Sequence, residues 1–273
     1  MRFRGRGKDV PVSIGNQIEE SVLAEAVEIA ESAAQLTLDW FQGSGLGVRR
    51  KQDGTVVTEA DVAAEDLIRS TIADRFPNDA VCGEERGETT GTSGRRWVID
   101  PIDGTISFVH GVPLYSTLLA LLDADGPAVG VICLPALGET VAAGRGLGAF
   151  YNGSLCRVST TDALSRSLIT SSAFDAGWWG EDALLSIASS GAEIRTWGDG
   201  YGYALVATGR ADAMVEPSLN PWDIAPMFTI IPEAGGRITG WDGTPADRNE
   251  GTWIASNAHL HEHLVGRLTT HRK

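Results

Sequence analysis

Residues 97–108 read WVIDPIDGTISF, an apolar run that ends in two aspartates three positions apart and then Gly-Thr. Trp97–Ile99 is buried-strand sequence, so Asp100 falls at a strand's C-terminal end, where open sheets place functional groups. Pro101 bends the chain and removes a backbone donor. That bend aims Asp100 and Asp103 at one point, with the Ile102 carbonyl between them. Gly104-Thr105 opens a helix whose free N–H groups suit phosphate. Two clustered carboxylates repel, and one pKa rises unless a cation lies between them. A hard divalent ion such as Mg2+ removes that penalty and prefers oxygen ligands. An ordinary Asp- and Gly-rich turn would carry the same letters, so the reading depends on what else the chain supplies.

Two other stretches support the cation. CGEERGE (82–88) brings Glu84 and Glu85 just after a glycine, and NPWDIAP (220–226) puts Asp223 at the start of an apolar helix. An isolated Asp there is normally an N-cap. An acidic loop, an Asp-rich strand end and a late Trp-Asp helix start, in that order, point together to a metal site.

Working outward, residues 16–41 carry Val22, Ala26, Ile29, Ala33, Leu36 and Trp40 at helical spacing, with Asn16 and Glu19 as an expected capping pair. VRRKQDGTVVT (48–58) reads as strand-turn-strand with Asp53-Gly54 at the hairpin. Thr58 and Asp61 open a second helix that Pro77 stops. From Arg96 the chain turns β-rich, with expected strands in RRWVID, STLLALLDADGPAVGVICLP, ETVAAGRGLGAFYNG and RVST. GYALVATGRADAMVEP reads as a short helix feeding a strand, and WDIAPMFTIIPEAGGRIT as a helix ending at Gly235-Gly236 before a strand. Helices and strands mix throughout, which predicts an α/β (α+β) layered fold. Residues 15–273 are expected to form one catalytic domain with a soft division near residue 155, after a mobile basic tail at 1–14.

The 273 residues are 42% hydrophobic and carry a net charge of −14 with a pI near 4.7. That balance argues against nucleic acid or an anionic membrane surface as partner. Cys82, Cys133 and Cys156 are scattered, which argues against disulfides and thiolate zinc and for a reducing compartment, the cytoplasm. No apolar run reaches membrane-spanning length. His110 follows the Asp motif. His259, His261, His263 and His271 near the end are read as an exposed helix face. Trp178, Trp179 and Trp197 are read as core or edge packing, outside the site.

GEE, WVIDPIDGT, PWD and EAGG resemble the inositol monophosphatase-like family of metal-dependent, lithium-sensitive phosphatases, from about Glu19 onward. The resemblance implies an α-β-α-β-α layered sandwich, a homodimer, and two or three Mg2+ ions, for which Mn2+ can substitute. It implies that Glu84 bridges the metals and that Asp100 and the Ile102 carbonyl bind the first. Asp103 and Asp223 would hold the second, with Asp100 shared. Asp61 and Thr105 would position the water that attacks phosphorus in line, and the Gly104 and Thr105 N–H groups, beside Asp103, would bind phosphate. Lys51 resembles a basic residue near a third, weaker metal position. The family's usual Asn after DGT-x is Ser107 here, which implies a change beside the site and not loss of activity. The D-x-D-G-T motif of haloacid-dehalogenase phosphatases is set aside, because its two aspartates stand two apart with no such proline. A non-catalytic relative is set aside because Glu84, Asp100, Asp103, Thr105 and Asp223 are all present.

The family resemblance also bears on the leaving group. Glu216, seven residues before Asp223, matches a glutamate that lines the alcohol part of the substrate, and Asp223 is expected to touch the substrate as well. GDGYGY (198–203) stands where inositol-cleaving members carry a small G-S/T-A-A segment, so Asp199 adds a negative charge. W-G-D-x-x-x-Y resembles the histidinol-phosphate phosphatases of this superfamily, which implies a cationic alcohol paired with Asp199 and Glu216. Asp199 is equally an N-cap for a helix beginning at Gly200, and the two roles can coexist. The expected substrate is a small phosphate ester, L-histidinol phosphate, as in histidine biosynthesis, with inositol 1-phosphate or another polyol phosphate as the alternative.

Overall fold

The computed structural model describes residues 16–43, 45–51, 54–174, 176–245 and 251–269. The segment 1–14, Asp53, His271 and the side chain of Trp178 lie outside the described residues. The chain begins with α1 (Glu20–Thr37), a ribbon of β1 (Val48–Arg50) and β2 (Val56–Thr58), and α2 (Glu59–Arg75). The apolar stripe of α1 is the one read from its spacing, but the helix stops at Thr37 and Asn16 does not cap it. The Asn16 amides reach Asp125 instead, a partner 109 residues away. At α2 the Thr58–Asp61 pair forms a reciprocal capping box.

Next come β3 (Ala80–Gly83), β4 (Gly87–Thr89), β5 (Arg96–Asp103), the short α3 (Thr105–Val109), β6 (Ser116–Asp123), β7 (Gly126–Leu134), β8 (Glu139–Gly144), β9 (Gly148–Tyr151) and β10 (Ser154–Cys156). These eight strands form one sheet in the order β10-β9-β8-β7-β6-β5-β3-β4. All neighbours are antiparallel except β3 and β5. The expected strand at RVST does not form. Val158 bonds to the Ala234 carbonyl and Ser159 to Asp212, so this stretch is pinned coil.

The second half contributes β11 (Leu168–Thr170), α4 (Ala176–Trp179), α5 (Glu181–Ala188), β12 (Glu193–Arg195), α6 (Asp199–Ala207), β13 (Ala213–Glu216), α7 (Pro221–Ile224), α8 (Met227–Glu233), β14 (Gly236–Thr239), β15 (Trp253–Asn257) and α9 (His261–Leu268). A five-stranded sheet runs β12-β11-β13-β15-β14. The single helix expected over 222–234 is two, α7 and α8, because the Ala225-Pro226 step interrupts it.

Three apolar clusters define five layers. Val27, Ala30 and Ile68 of α1 and α2 pack on Ile99, Leu119 and Val131 of the large sheet. Tyr203, Met227 and Ile230 of α6 and α8 fill the space between the large sheet and the second sheet's Met214 and Ala255. Ala183, Ile187 and Leu264 cover the second sheet's outer face at Ile169, Val215 and Ile254. Each fully buried aliphatic side chain contributes about 1.5–3 kcal/mol. The order is helix, sheet, helix, sheet, helix, the layered sandwich expected from the sequence.

One histidine departs from expectation. His261 is fully buried at the start of α9, with Ser256 Oγ 2.8 Å from one ring nitrogen and Thr239 Oγ1 2.9 Å from the other. His259 and His263 are exposed. Trp179 lies in the core, stacked on Phe174, and Trp197 is partly exposed under Arg195.

Candidate active site

In a regular strand, residues three apart point to opposite faces. β5 does not obey this at its end. Asp100 pairs with Leu118 and Asp103 with Ser116, so three steps on β5 oppose two on β6. The extra residue is a β-bulge at Pro101-Ile102, a place where proline is tolerated. Leu118 and Ser116 share a face of β6, so their partners Asp100 and Asp103 also share one. Asp223, from α7, joins them. Its Oδ2 accepts the Asn220 N–H at 2.8 Å, so Asn220 is the cap and Asp223 lies one turn inside. Carboxylate oxygens of Asp100, Asp103 and Asp223 lie within 4.8 Å of one another.

Each of these groups is held by specific neighbours. Asp103 accepts the Ser116 hydroxyl at 2.8 Å and the Gly200 N–H. Only glycine fits at 200, because a Cβ there would lie 2.2 Å from Ser116 Oγ. Burial raises the pKa of Asp100 well above normal, and the charges of Glu84, Asp103, Asp223 and Asp61 add to it. Burial likewise raises Asp103, with Asp199 and Asp223 adding. Asp223 is pushed up to about 6, mainly by burial. Among the described residues, no lysine or arginine pairs with Asp100, Asp103 or Asp223, and Asp100 Oδ1 is buried without a partner. Buried carboxylates without a counter-charge are costly. Three converging oxygen donors of this kind fit a hard divalent cation.

The other expected residues surround this cluster. Glu84 follows β3, its N–H donating to the Ile99 carbonyl at 3.2 Å, and its charge acts on Asp100, Asp223 and Asp61. Lys51 reaches Glu84 at 2.8 Å and Glu85 at 2.6 Å. Burial works against its ammonium, but the two glutamates outweigh it and raise its pKa. Asp61 is fully buried. Its Oδ2 is used by Thr58 in the capping box, while Oδ1 has no partner among the described residues. Burial pushes it up to about 6. Thr105 donates its hydroxyl to the Ile102 carbonyl at 2.9 Å, which leaves that carbonyl one lone pair. Gly104 and Thr105 begin α3, whose first N–H groups have no intrahelical acceptor.

Asp199 is not the cap of α6. Gly198 holds that position, and Asp199 is the first helical residue, at a left-handed φ of 52°. A non-glycine residue in that region is uncommon and often functional. Its carboxylate lies against Gly104, where an added Cβ would meet Asp199 Oδ2 at 2.9 Å. Burial raises its pKa, and the nearby Ser172 side chain offsets part of that rise. Glu216 ends β13, fully buried. Its Oε1 accepts both the N–H and the hydroxyl of Ser172, at 2.6 and 2.8 Å, while Oε2 has no partner among the described residues. Burial pushes Glu216 up to about 8. Ser172 also accepts the Asp199 N–H at 2.9 Å, so one serine ties the two carboxylate residues together.

Ser116 and Ser172 had no signal in the sequence, since each acts on residues far along the chain. Tyr203 is also buried, its hydroxyl without a partner among the described residues and facing the charges of Glu216, Asp103, Asp223 and Asp199.

Comparison with known proteins places the whole chain in one family. The sequence model of the inositol monophosphatase family matches residues 18–273. The chain belongs to the inositol monophosphatase family. A histidinol-phosphatase of Chlorobaculum parvum is 44% identical over 89% of this chain and 95% of its own length, and one of Streptomyces coelicolor is 42% identical over 88% and 94%. An inositol-1-monophosphatase of Synechocystis is 36% identical over 79% of this chain and 77% of its own. Among solved structures, the extragenic suppressor protein suhB of Bartonella henselae superposes with a TM-score of 0.84 at 29% identity, covering 91% of this chain and 98% of that one. Membership makes the chain a phosphoric monoester hydrolase of a metal-dependent family.

Proposed function

We propose that the chain hydrolyses a small phosphate monoester whose alcohol carries a cationic group, L-histidinol phosphate, with Mg2+ as its ion. The observation that carries this reading is the place of the Asp199 carboxylate beside Gly104, 2.9 Å from where a Cβ on that residue would stand. A phosphate on the Gly104 and Thr105 N–H groups brings its alcohol against Asp199, with Glu216 behind it. A polyol gains little from a second carboxylate beside Glu216. An ammonium gains a charge-assisted hydrogen bond of roughly 1.5–3 kcal/mol. The 38–44% identity of the histidinol-phosphatases supports the same choice.

Asp100, Asp103, Asp223, Glu84 and the Ile102 carbonyl would hold two or three divalent ions, with Mn2+ able to replace Mg2+. Such ions, when bound, neutralise charge on the phosphoryl and leaving oxygens and acidify water. The chain's own groups do the rest. Asp61, ionised above its pKa of about 6, offers Oδ1 to orient a water and take its proton. Thr105 Oγ1, whose proton is committed to the Ile102 carbonyl, accepts a hydrogen bond from the same water. The start of α3 holds the phosphate for in-line attack. The three cysteines are free, as in a reducing cytoplasm, and no helix among the described residues is long and apolar enough to cross a membrane. A homodimer is part of the same proposal and is checked by light scattering.

The test is phosphate release from L-histidinol phosphate and from inositol 1-phosphate by the wild type and Asp199→Ala. By the hydrogen-bond energy above, Asp199→Ala lowers kcat/KM on histidinol phosphate about ten- to a hundredfold and leaves inositol phosphate nearly unchanged. Equal losses on both substrates refute the pocket assignment, and a wild type that prefers inositol phosphate refutes the substrate.

A further inference from the structure

Glu84 is the one proposed metal-binding side chain that comes from a turn between an edge strand and its neighbour. Something must hold that turn. Glu65, in the middle of α2, is fully buried and faces it. Its Oε2 accepts the N–H of Glu85 at 2.7 Å, and its Oε1 accepts the N–H of Arg86 at 3.0 Å. Arg69, one helical turn on, donates Nε to Glu65 Oε1 at 2.7 Å and extends to the Gly87 carbonyl and, at 3.1 Å, to Thr89 Oγ1. On the other side of Glu84, an added Cβ at Gly83 would lie 2.2 Å from Glu65 Oε1. Glu84 is therefore flanked by one residue packed on Glu65 and another bonded to it.

We infer that Glu65, with Arg69 as its counter-ion, is a positioning residue that fixes the turn carrying Glu84 and so sets the affinity of the metal site. The sequence offers no other reason for a buried carboxylate here, since an exposed Glu65 would satisfy α2 equally well. The geometry gives one. Two backbone N–H groups in a tight turn face the sheet's helical cover, and a carboxylate is the side chain that accepts both at once. The charge on Arg69 lets that carboxylate stay buried, and the guanidinium then grips the far side of the turn. Residues that orient metal-binding groups without touching the ion typically change metal affinity or activity ten- to a hundredfold when replaced.

This inference rests on the proposed role of Glu84 as a metal ligand, and the experiment separates the two. Mn2+ binding to the metal-free protein is measured by isothermal calorimetry for the wild type, Glu84→Gln, Glu65→Gln and the double variant. Glu84→Gln and Glu65→Gln each raise the dissociation constant at least tenfold. Glu65→Gln adds less than about twofold in the Glu84→Gln background, because it acts through that side chain. A general loss of stability would instead lower affinity by the same factor in both backgrounds, which overturns the inference. An unchanged dissociation constant in a folded Glu65→Gln also overturns it, while leaving the metal reading intact. An unchanged dissociation constant in Glu84→Gln removes the metal role of Glu84, and this inference with it. Gly83→Ala carries the same test should Glu65→Gln not fold, since it leaves Glu65 in place and displaces the turn by collision.

Discussion

Replacing Asp100 by asparagine separates the stability of the site from its chemistry. In the metal-free protein Asp100 is a buried carboxylate with an unpartnered Oδ1, and Asp103 and Asp223 oxygens lie within 4.8 Å. At an effective dielectric of 20, two unit charges at that separation repel by about 3.5 kcal/mol. Part of this is relieved by protonation, since burial and the neighbouring charges already raise these pKa values. The net gain from removing one charge at pH 8 is then about 1–3 kcal/mol, or roughly 2–10 °C in Tm for a chain of this size. Asp100→Asn should thus melt higher than the wild type in chelator. Adding Mg2+ reverses the order, because the wild type gains about 4.1 kcal/mol at a thousandfold excess over its dissociation constant, and the variant has lost a ligand. Differential scanning calorimetry at pH 8, with EDTA and then with Mg2+, reads both states. A lower Tm for Asp100→Asn in EDTA would mean the carboxylate is satisfied within the fold, and the electrostatic reasoning fails.

The pH dependence of the metal-free protein follows from the same shifts. Asp61 and Asp223 are raised to about 6 and Glu216 to about 8, so the folded state holds their protons more tightly than the unfolded state does. Stability in chelator should fall as pH rises from about 4 to about 8, and a denaturant series showing a rise across that window contradicts the assignment. His261 opposes this trend in the lower part of the same window and offsets part of it. Burial and Arg237 push it down to about 4, so stability is lost as pH falls from about 6.5 to about 4, by up to roughly 3 kcal/mol. His261→Gln should be less stable at pH 8 by about 1–2 kcal/mol and should lose stability more steeply than the wild type as pH rises from about 4 to about 6.5, and an unchanged slope rules out His261 as the opposing contribution. Ser116→Ala removes the hydroxyl that Asp103 accepts at 2.8 Å. It should weaken Mg2+ activation of phosphate release about tenfold, and an unchanged Mg2+ half-saturation refutes that support.

Much of the chemistry was legible because it lies in short local stretches. The Thr58–Asp61 box, the Asp-Pro-Ile-Asp turn and the Trp-Asp helix start each carry their own signal. What holds them together is nonlocal. Alternation alone would put Asp100 and Asp103 on opposite faces, and only the register with Ser116 and Leu118 shows the bulge that brings them together. The Ser172 link between Glu216 and Asp199 spans 44 and 27 residues, beyond the reach of any periodicity. The expected Asn16 cap failed because Asp125 competes for its amides. His261 looked exposed because its helix carries polar neighbours, while the Ser256 and Thr239 hydroxyls that bury it come from the second sheet. Layer order was readable as a class, but the strand order was not, since β5 lies between β3 and β6 by a parallel pairing that the chain sequence does not announce.

The most direct test of the central claim is anomalous diffraction from crystals soaked in Mn2+, collected alongside phosphate-release rates with and without chelator. Anomalous peaks should stand between Asp100, Asp103 and Asp223 and beside Glu84, and chelation should abolish turnover until Mg2+ is restored. No peak at these carboxylates, with full turnover in chelator, would contradict the account.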